Sequence, residues 1–364
     1  MPRTSAAPIT LADLRRFAIA RSLFAPTTLQ RALDRLGFVQ ADPIRAPARA
    51  QDLILRPRVK GYRAGDLERR YERLAVEEDV FVNYGFVTPR VQALMHPRQP
   101  RGRFSGAKAR HSQALLAFVR DHGGPVHPRA VDEHFAHGRV TNYWGGSSSA
   151  TTHRLDLLHY HGALRVARRE AGIRLYALQT HGPAPSSRAE RARRIDALID
   201  VAVALYGPVP KVSLGFVLSR IRYAVPHWRG ELLAAQRRAL ARLSSATVDG
   251  VQWFWPEGER LSGIEPGDQV RFLAPFDPVV WDRRRFELFW GWAYRFEAYT
   301  PLAKRKLGYY ALPMLWRDRV IGWANVSMVD GAPRCAFGYV DREPADPVFR
   351  RELDAEVERL RQFL

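Results

Sequence analysis

The stretch from Gly106 to Leu178 constrains the fold more than any other. In "GAKARHSQALLAFVRDHG", Leu115, Leu116, Phe118 and Val119 form one apolar stripe at helical spacing, and the helix ends by Gly123. After "GPVHP" a shorter helix is expected over "RAVDEHFA". A third, over "SSSATTHRLDLLHYHGAL", opens on serines suited to an N-cap and closes at Gly162. Two β-prone segments follow in "LRVARREAGIRLYAL", around the turn Glu170-Ala171-Gly172. Three helices and then a two-stranded wing is the order of a winged helix, a helix-turn-helix variant whose third helix enters the major groove.

The same order is legible twice more. Near the start, "TLADLRRFAIARSLF" and "TTLQRALDRLGF" are amphipathic helices, each opened by a Thr. Later, "SSRAERARRIDALIDVAVALYG", "PKVSLGFVLSRI" and "WRGELLAAQRRALARLSS" read as three helices, and "ATVDGVQWFWP" as wing strand. From Phe272 onward, aromatic and β-branched residues dominate "RFLAPFDPVVWDRRRFELFWGWAYRFEAY" and "LGYYALPMLWRDRVIGWANVSM". With turns at "RDR" and "VDGAP", they predict a small antiparallel sheet or partial barrel. "DPVFRRELDAEVERLRQFL" closes the chain as an amphipathic helix. The expected fold is α+β, with winged helices over 1–103, 104–182 and 183–262. A β-barrel-like domain over 263–345 and a C-terminal helix over 346–364 follow.

The charge is the compositional outlier. Lys and Arg number 57 against 37 Asp and Glu, a formal net charge of +20 that favours polyanions. Nearly all of it is Arg, whose planar fork suits phosphates and guanine edges. The single cysteine, Cys335, excludes an intrachain disulfide and a Cys-based zinc site. The N-terminus lacks a signal-peptide core, and no run of about 18 apolar residues occurs. A soluble, cytoplasmic, nucleoid-associated monomer is expected, with no membrane, metal, nucleotide or other cofactor.

In "LDRLGFVQADPI" a helix ends at Gly37, and Gln40 and Asp42 bracket one small residue ahead of Pro43. In extended chain, i and i+2 share a face, and Pro43 biases Asp42 toward extended geometry. A carboxylate there can stabilise an oxocarbenium-like sugar and deprotonate water, the two tasks of an N-glycosidase; the amide can hold the water or a phosphate oxygen. A simple polar turn explains the same residues.

Arg45, Arg49, Arg56, Arg58, Lys60 and Arg63 follow, with Tyr62 among them. Such a density of cations can track a phosphate backbone, and an aromatic can wedge or stack on bases. The alternative is a solvated Arg-rich face. "NYWGGSSSATTHR" puts Tyr143 and Trp144 ahead of the third helix and Ser147, Ser148 and Ser149 at its N-terminus, where hydroxyls bind phosphate or simply cap. Lys304, Arg305 and Lys306 are a further phosphate-contact candidate. Glu297 reads either as catalytic or as a structural partner of one of these cations. His134, His137, His153, His159 and His161 invite a metal reading but lack acidic or Cys partners at a familiar zinc spacing, so no metal site is expected.

"LAPFDPVVWDRRRFELFWGWAYRFEAYTPLAKRKLGYYALPML" closely resembles the C-terminal region of the AlkZ/YcaQ family of bacterial DNA glycosylases. "YWGGSSSATTHRLDLLHYHGALRV" resembles that family's second winged helix, and "RLGFVQADPI" its catalytic segment in the Gln-x-Asp form. The resemblance covers nearly the whole chain. It implies three winged helices and a β-barrel around duplex DNA, excision of N7-alkylated guanines, and interstrand-crosslink unhooking. Gln40 and Asp42 match the motif residues. A cationic N7-alkylguanine leaves without a general acid, so one carboxylate suffices and no Schiff-base lysine is implied. The family's patterns are altered at four places: Gln51 stands where a His is usual, Val82 for a Glu, and Phe86 for a His. Gly-Arg-x-Asp becomes Gly322-Trp323-Ala324-Asn325. These changes fit an altered lesion preference or a scaffold that binds damage without cutting it. The two functions weighed are therefore a monofunctional glycosylase acting on alkylated guanine in double-stranded DNA and a non-catalytic winged-helix DNA-binding protein.

Overall fold

A computed structural model of the chain describes residues 8–98, 106–135, 139–141, 147–261 and 265–364. They form two compact units assembled from separated stretches. One takes the described parts of Met1–Asp66, Ile199–Ser219 and Gln236–Leu364; the other takes those of Leu67–Leu198 and Arg220–Ala235.

The first unit begins with the two helices read from sequence. Thr10 caps Leu11–Ser22 in a capping box with Asp13, and Thr28 caps Leu29–Leu36. Gly37 ends the second helix at φ 69°, a left-handed turn that glycine adopts without a Cβ clash. The turn delivers the chain into the short strand Phe38–Gln40. Further on, Val251–Trp255 lies between Val209–Pro210 and Ser244–Val248 in an antiparallel sheet, with the turn Asp249–Gly250 at positive φ. A four-stranded antiparallel sheet, curled into a half-barrel, runs in chain order through Val270–Phe272, Leu312–Trp316, Arg319–Val329 and Ala332–Tyr339. The closing helix Pro347–Phe363, capped by Asp346, buries Phe349, Leu353, Leu360 and Phe363.

The "RFLAPF…RFEAY" segment is not all sheet. Arg283–Trp290 is a helix, capped by the Asp282 carboxylate on the Arg284 and Arg285 amides and closed by Gly291. Its Phe286 and Phe289 enter two different apolar clusters. Aromatic content suggested strand, but the cap and the inward face of this short segment favour helix. "WRGELLAAQRRALARLSS" also divides, into a 3-10 turn Pro226–Glu231 and the helix Leu232–Arg242.

In the second unit, the order over 106–178 is helix Ala107–Asp121, helix Pro128–Phe135, strand Arg139–Thr141, strand Ser147–Ser149, helix Ala150–Tyr160 and hairpin Leu164–Leu178. Ser147–Ser149 are therefore backbone of a short antiparallel pair, with the helix opening one residue later. The hairpin turns at Ala171-Gly172, both at positive φ, as its sequence predicts. Leu115, Val119, Val131, Leu155, Leu158, Val166 and Tyr176 form one apolar core. No helix among the described residues is long and apolar enough to cross a membrane.

A buried ionic network also holds this unit. Asp79 accepts from Arg98 Nη1 and His96 Nε2, each at 2.7 Å. Arg98 further donates to the Val80, Tyr160 and Ala224 carbonyls. Burial lowers the His96 pKa to about 4 against the pull of Asp79, with Arg98 and His181 assisting. A neutral ring still donates one N–H to Asp79. Between pH 6.5 and about 4 the unfolded chain takes up a proton that folded His96 refuses. Stability should therefore fall with pH across that window, and fall further below 3.8 as Asp79, held far down by Arg98 and His96 despite burial, protonates in the unfolded chain. Urea titrations at pH 7.5, 5.5 and 4.5 measure the trend, and His96→Gln should flatten its upper part.

Candidate active site

Gln40 and Asp42 both sit in the first unit, and each has one polar atom fixed and one left over. Gln40, 6% exposed, accepts a hydrogen bond on Oε1 from Trp281 Nε1 at 3.0 Å. The indole N–H can only donate, so it orients the amide and leaves Gln40 Nε2 as the outward donor. Trp281 is itself fixed by stacking on Tyr206, with centroids 4.3 Å apart, and by Phe216 at 5.5 Å.

Asp42 is half-buried at the open end of the strand. Its Oδ1 accepts from the Ile44 amide at 2.9 Å, a turn of the kind Asp makes before proline. Its own amide donates to Gln51 Oε1 at 3.4 Å. Gln51, the residue standing where the family pattern writes His, is thus a backbone support for Asp42, buried on the helix Ala50–Leu55. Burial raises the Asp42 pKa, and the Ile44 hydrogen bond opposes that rise. Asp42 Oδ2 has no hydrogen bond among the described residues.

Two tyrosines share this electrostatic neighbourhood. Tyr310 is 4% exposed, and its hydroxyl has no hydrogen-bond partner among the described residues. Burial and then the Asp42 charge hold its phenol well above its ordinary pKa, so it stays a donor. Tyr299 feels burial and the Asp42 charge in the same sense, yet its side chain is 74% exposed. The loop between them is held from beneath. Glu297 Oε2 accepts the amides of Lys306 at 2.9 Å, Leu307 at 2.8 Å and Gly308 at 3.3 Å. Glu297 is therefore a structural partner of the cationic loop's backbone rather than of its cationic side chains. Lys304 and Lys306 stay exposed, whereas Arg305 donates to the Thr300 carbonyl and lies over the Tyr309 ring.

The structure divides the Arg-rich segment that sequence treats as one surface. Arg58 is 0% exposed and bonds Asp277, so it belongs to the interior. Arg56 is held by Glu356 and the Phe272 carbonyl. Tyr62, also buried, donates to Asp52 at 2.8 Å and is not a wedge. Arg45 and Lys60 are exposed, and Arg49 is half-buried at the start of its helix. Interior carboxylates captured Arg56, Arg58 and Tyr62; Glu356 and Asp277 lie too far along the chain for local spacing to reveal, whereas Asp52 is only ten residues from Tyr62. Tyr143 and Trp144 lie outside the described residues, as do the side chains of Ser147, Ser148 and Ser149. Val82 and Phe86 are buried in the second unit, and Trp323 stacks on Trp292. Trp281, Tyr206 and Tyr310 were missed as site residues, although Trp281 and Tyr310 stand inside the most family-specific phrase. Among the described residues, no group of three or more His, Cys, Asp or Glu is placed to hold a metal ion.

A carboxylate with one free oxygen, an amide with one free donor and an unpartnered phenol can together hold a water and a sugar or phosphate oxygen. The family model for AlkZ-like DNA glycosylases matches residues 33–363. The fold is similar to that of the Streptomyces sahachiroi DNA glycosylase AlkZ, with a TM-score of 0.63 and 15% identity over 97% of this chain and 96% of that one.

Proposed function

The chain belongs to the AlkZ-like family of DNA glycosylases, and from that membership we propose that it hydrolyses the N-glycosidic bond of N7-alkylated guanine in duplex DNA. The observation that carries the reading is the pairing of Asp42, with Oδ2 uncommitted, and Gln40, with Nε2 uncommitted, beside the unpartnered Tyr310 hydroxyl. Asp42 takes a proton from the attacking water and its negative charge stabilises the oxocarbenium-like sugar. Gln40 Nε2 donates to the water or to a phosphate oxygen. N7 alkylation makes guanine a cationic leaving group, so no general acid is required, and with water rather than a lysine amine as the nucleophile the enzyme acts monofunctionally. A guanine tethered to the opposite strand fits the same chemistry, which extends the proposal to interstrand crosslinks.

Three winged helices over 1–103, 104–182 and 183–262 remain the proposed architecture. The three helices and closing hairpin of the middle segment, with a short strand pair ahead of the third helix, support the second of them. Arg45, Arg49, Lys60, Lys304 and Lys306 are proposed as backbone contacts, each worth about 0.9 in the slope of log K against log salt.

The deciding experiment incubates duplex carrying one N7-methylguanine, or one N7-linked crosslink, with the wild-type chain and follows free base. Release identifies the glycosylase. Tight duplex binding with no release instead supports the damage-binding scaffold, a reading favoured by the burial of Val82 and Phe86 where the family pattern has polar residues. Tyr310→Phe should keep its melting temperature, because the hydroxyl has no hydrogen-bond partner among the described residues. Its single-turnover release should slow about tenfold, the loss of one transition-state hydrogen bond. An unchanged rate would leave that hydroxyl out of the reaction.

A further inference from the structure

Away from Asp42, the first unit holds a cavity of about 410 Å³ where the edge of the half-barrel meets the closing helix. Its lining includes Arg56, Lys60, Arg63, Arg271 and Arg359, against one carboxylate, Glu356. That carboxylate is already used. Glu356 Oε1 accepts from the Phe272 amide at 2.8 Å and from Arg56, and Oε2 accepts from Arg359 Nε at 2.9 Å.

Arg271 is the residue left over. It lies on the strand Val270–Phe272, whose Val270 and Phe272 point inward with 0% and 1% exposure, so strand alternation turns Arg271 to the other face, into the cavity. Among the described residues its guanidinium has no hydrogen-bond or ion-pair partner. Burial weakens its hold on the proton; Glu356 and, less strongly, Asp277 oppose this, while Arg58 and Arg359 add repulsion, and the net shift is downward. A desolvated cation beside other cations is costly unless an anion completes the site. The remaining walls are flat and partly apolar: Tyr62 stacked on Phe363, with centroids 6.3 Å apart, and Pro26 and Pro57. The volume lies within the range of small-molecule sites and exceeds what a bare inorganic ion fills.

We propose that this cavity binds a phosphate ester, with Arg271 as its central ligand and Lys60 and Arg63 at its mouth. The planar Arg fork matches two phosphate oxygens, and the mobile lysine adds charge without fixed geometry. The same chemistry is offered by a free nucleotide and by a backbone phosphate of bound DNA. The site does not depend on Asp42, so its failure and that of the glycosylase reading are separable.

The test is thermal unfolding of the full chain in phosphate, and separately in deoxyguanosine monophosphate, against chloride at equal ionic strength. Wild type should melt higher with either phosphate, and Arg271→Met, which fills similar space without charge, should lose the increment. Without phosphate the Met variant should melt no lower than wild type, since it removes an unpaired, half-buried cation. Arg271→Lys should retain part of the response and guards against a packing defect in the Met variant. The salt dependence of binding to undamaged duplex then separates the two sources. A slope smaller by about 0.9 in Arg271→Met assigns the site to a DNA phosphate, and an unchanged slope assigns it to a free ester. Equal phosphate responses in wild type and Arg271→Met, or none in wild type beyond ionic strength, overturn the proposal.

Discussion

Asp42→Asn should slow release of N7-methylguanine from duplex DNA by about 10²–10⁴-fold under single-turnover conditions, the usual contribution of a positioned general base. The substitution is close to isosteric. Asn keeps an Oδ1 to accept from the Ile44 amide, so the turn at 42–44 and the contact with Gln51 should survive. What is lost is the negative charge and the ability of Oδ2 to take a proton. The pH profile provides a second readout. Because burial raises the Asp42 pKa above 3.8, the wild-type rate should fall as pH drops through a value higher than an ordinary aspartate's. The Asn variant should lack that limb. Equal release by both proteins, or the same acid limb in both, would remove Asp42 from the chemistry while leaving the fold and its family untouched.

Arg58→Met should destabilise the first unit by about 3–5 kcal/mol, the cost of stranding a buried charge. All five guanidinium hydrogens of Arg58 are placed. Nε donates to the Ser22 carbonyl at 2.8 Å, and Nη1 donates to the Ile54 carbonyl and to Asp277 Oδ2 at 2.7 Å. Nη2 donates to Ser22 Oγ and Asp277 Oδ1, each at 3.0 Å. Both charged side chains are 0% exposed. The pair therefore ties the first helix and the helix carrying Gln51, which supports Asp42, to the loop that leads into Trp281, which sets the Gln40 amide. Removing the arginine alone leaves the Asp277 carboxylate with only the Val279 amide as a donor among the described residues. Replacing both, as Arg58→Met with Asp277→Leu, should recover much of the loss, since apolar pairs substitute well for buried ion pairs. Urea denaturation gives the comparison. A normal midpoint accompanied by weakened duplex binding would instead return Arg58 to the DNA surface.

The contrast between these two residues shows how far sequence reaches. Asp42 was legible because its constraints are local: a glycine ending a helix, one intervening alanine and a following proline fix the backbone within a few residues. Helix caps at Thr10 and Thr28, the Ala171-Gly172 turn and the closing helix were legible for the same reason. The helix Arg283–Trp290 was misread because aromatic richness is shared by strands and by helices buried on one face. For Arg56, Arg58 and Tyr62, local density of charge says nothing about which side chains face water.

The amino-acid order by itself determined the local conformations, the placement of Gln40 and Asp42 on one short segment, and the excess of positive charge. Only the tertiary structure decided which atoms of that pair stay uncommitted, because Trp281 reaches Gln40 from 241 residues away. It likewise chose which arginines became interior ties, and it left Arg271 without a hydrogen-bond or ion-pair partner among the described residues. Short-range torsional preferences are written in neighbouring residues, whereas desolvation and charge pairing depend on whatever packing brings alongside.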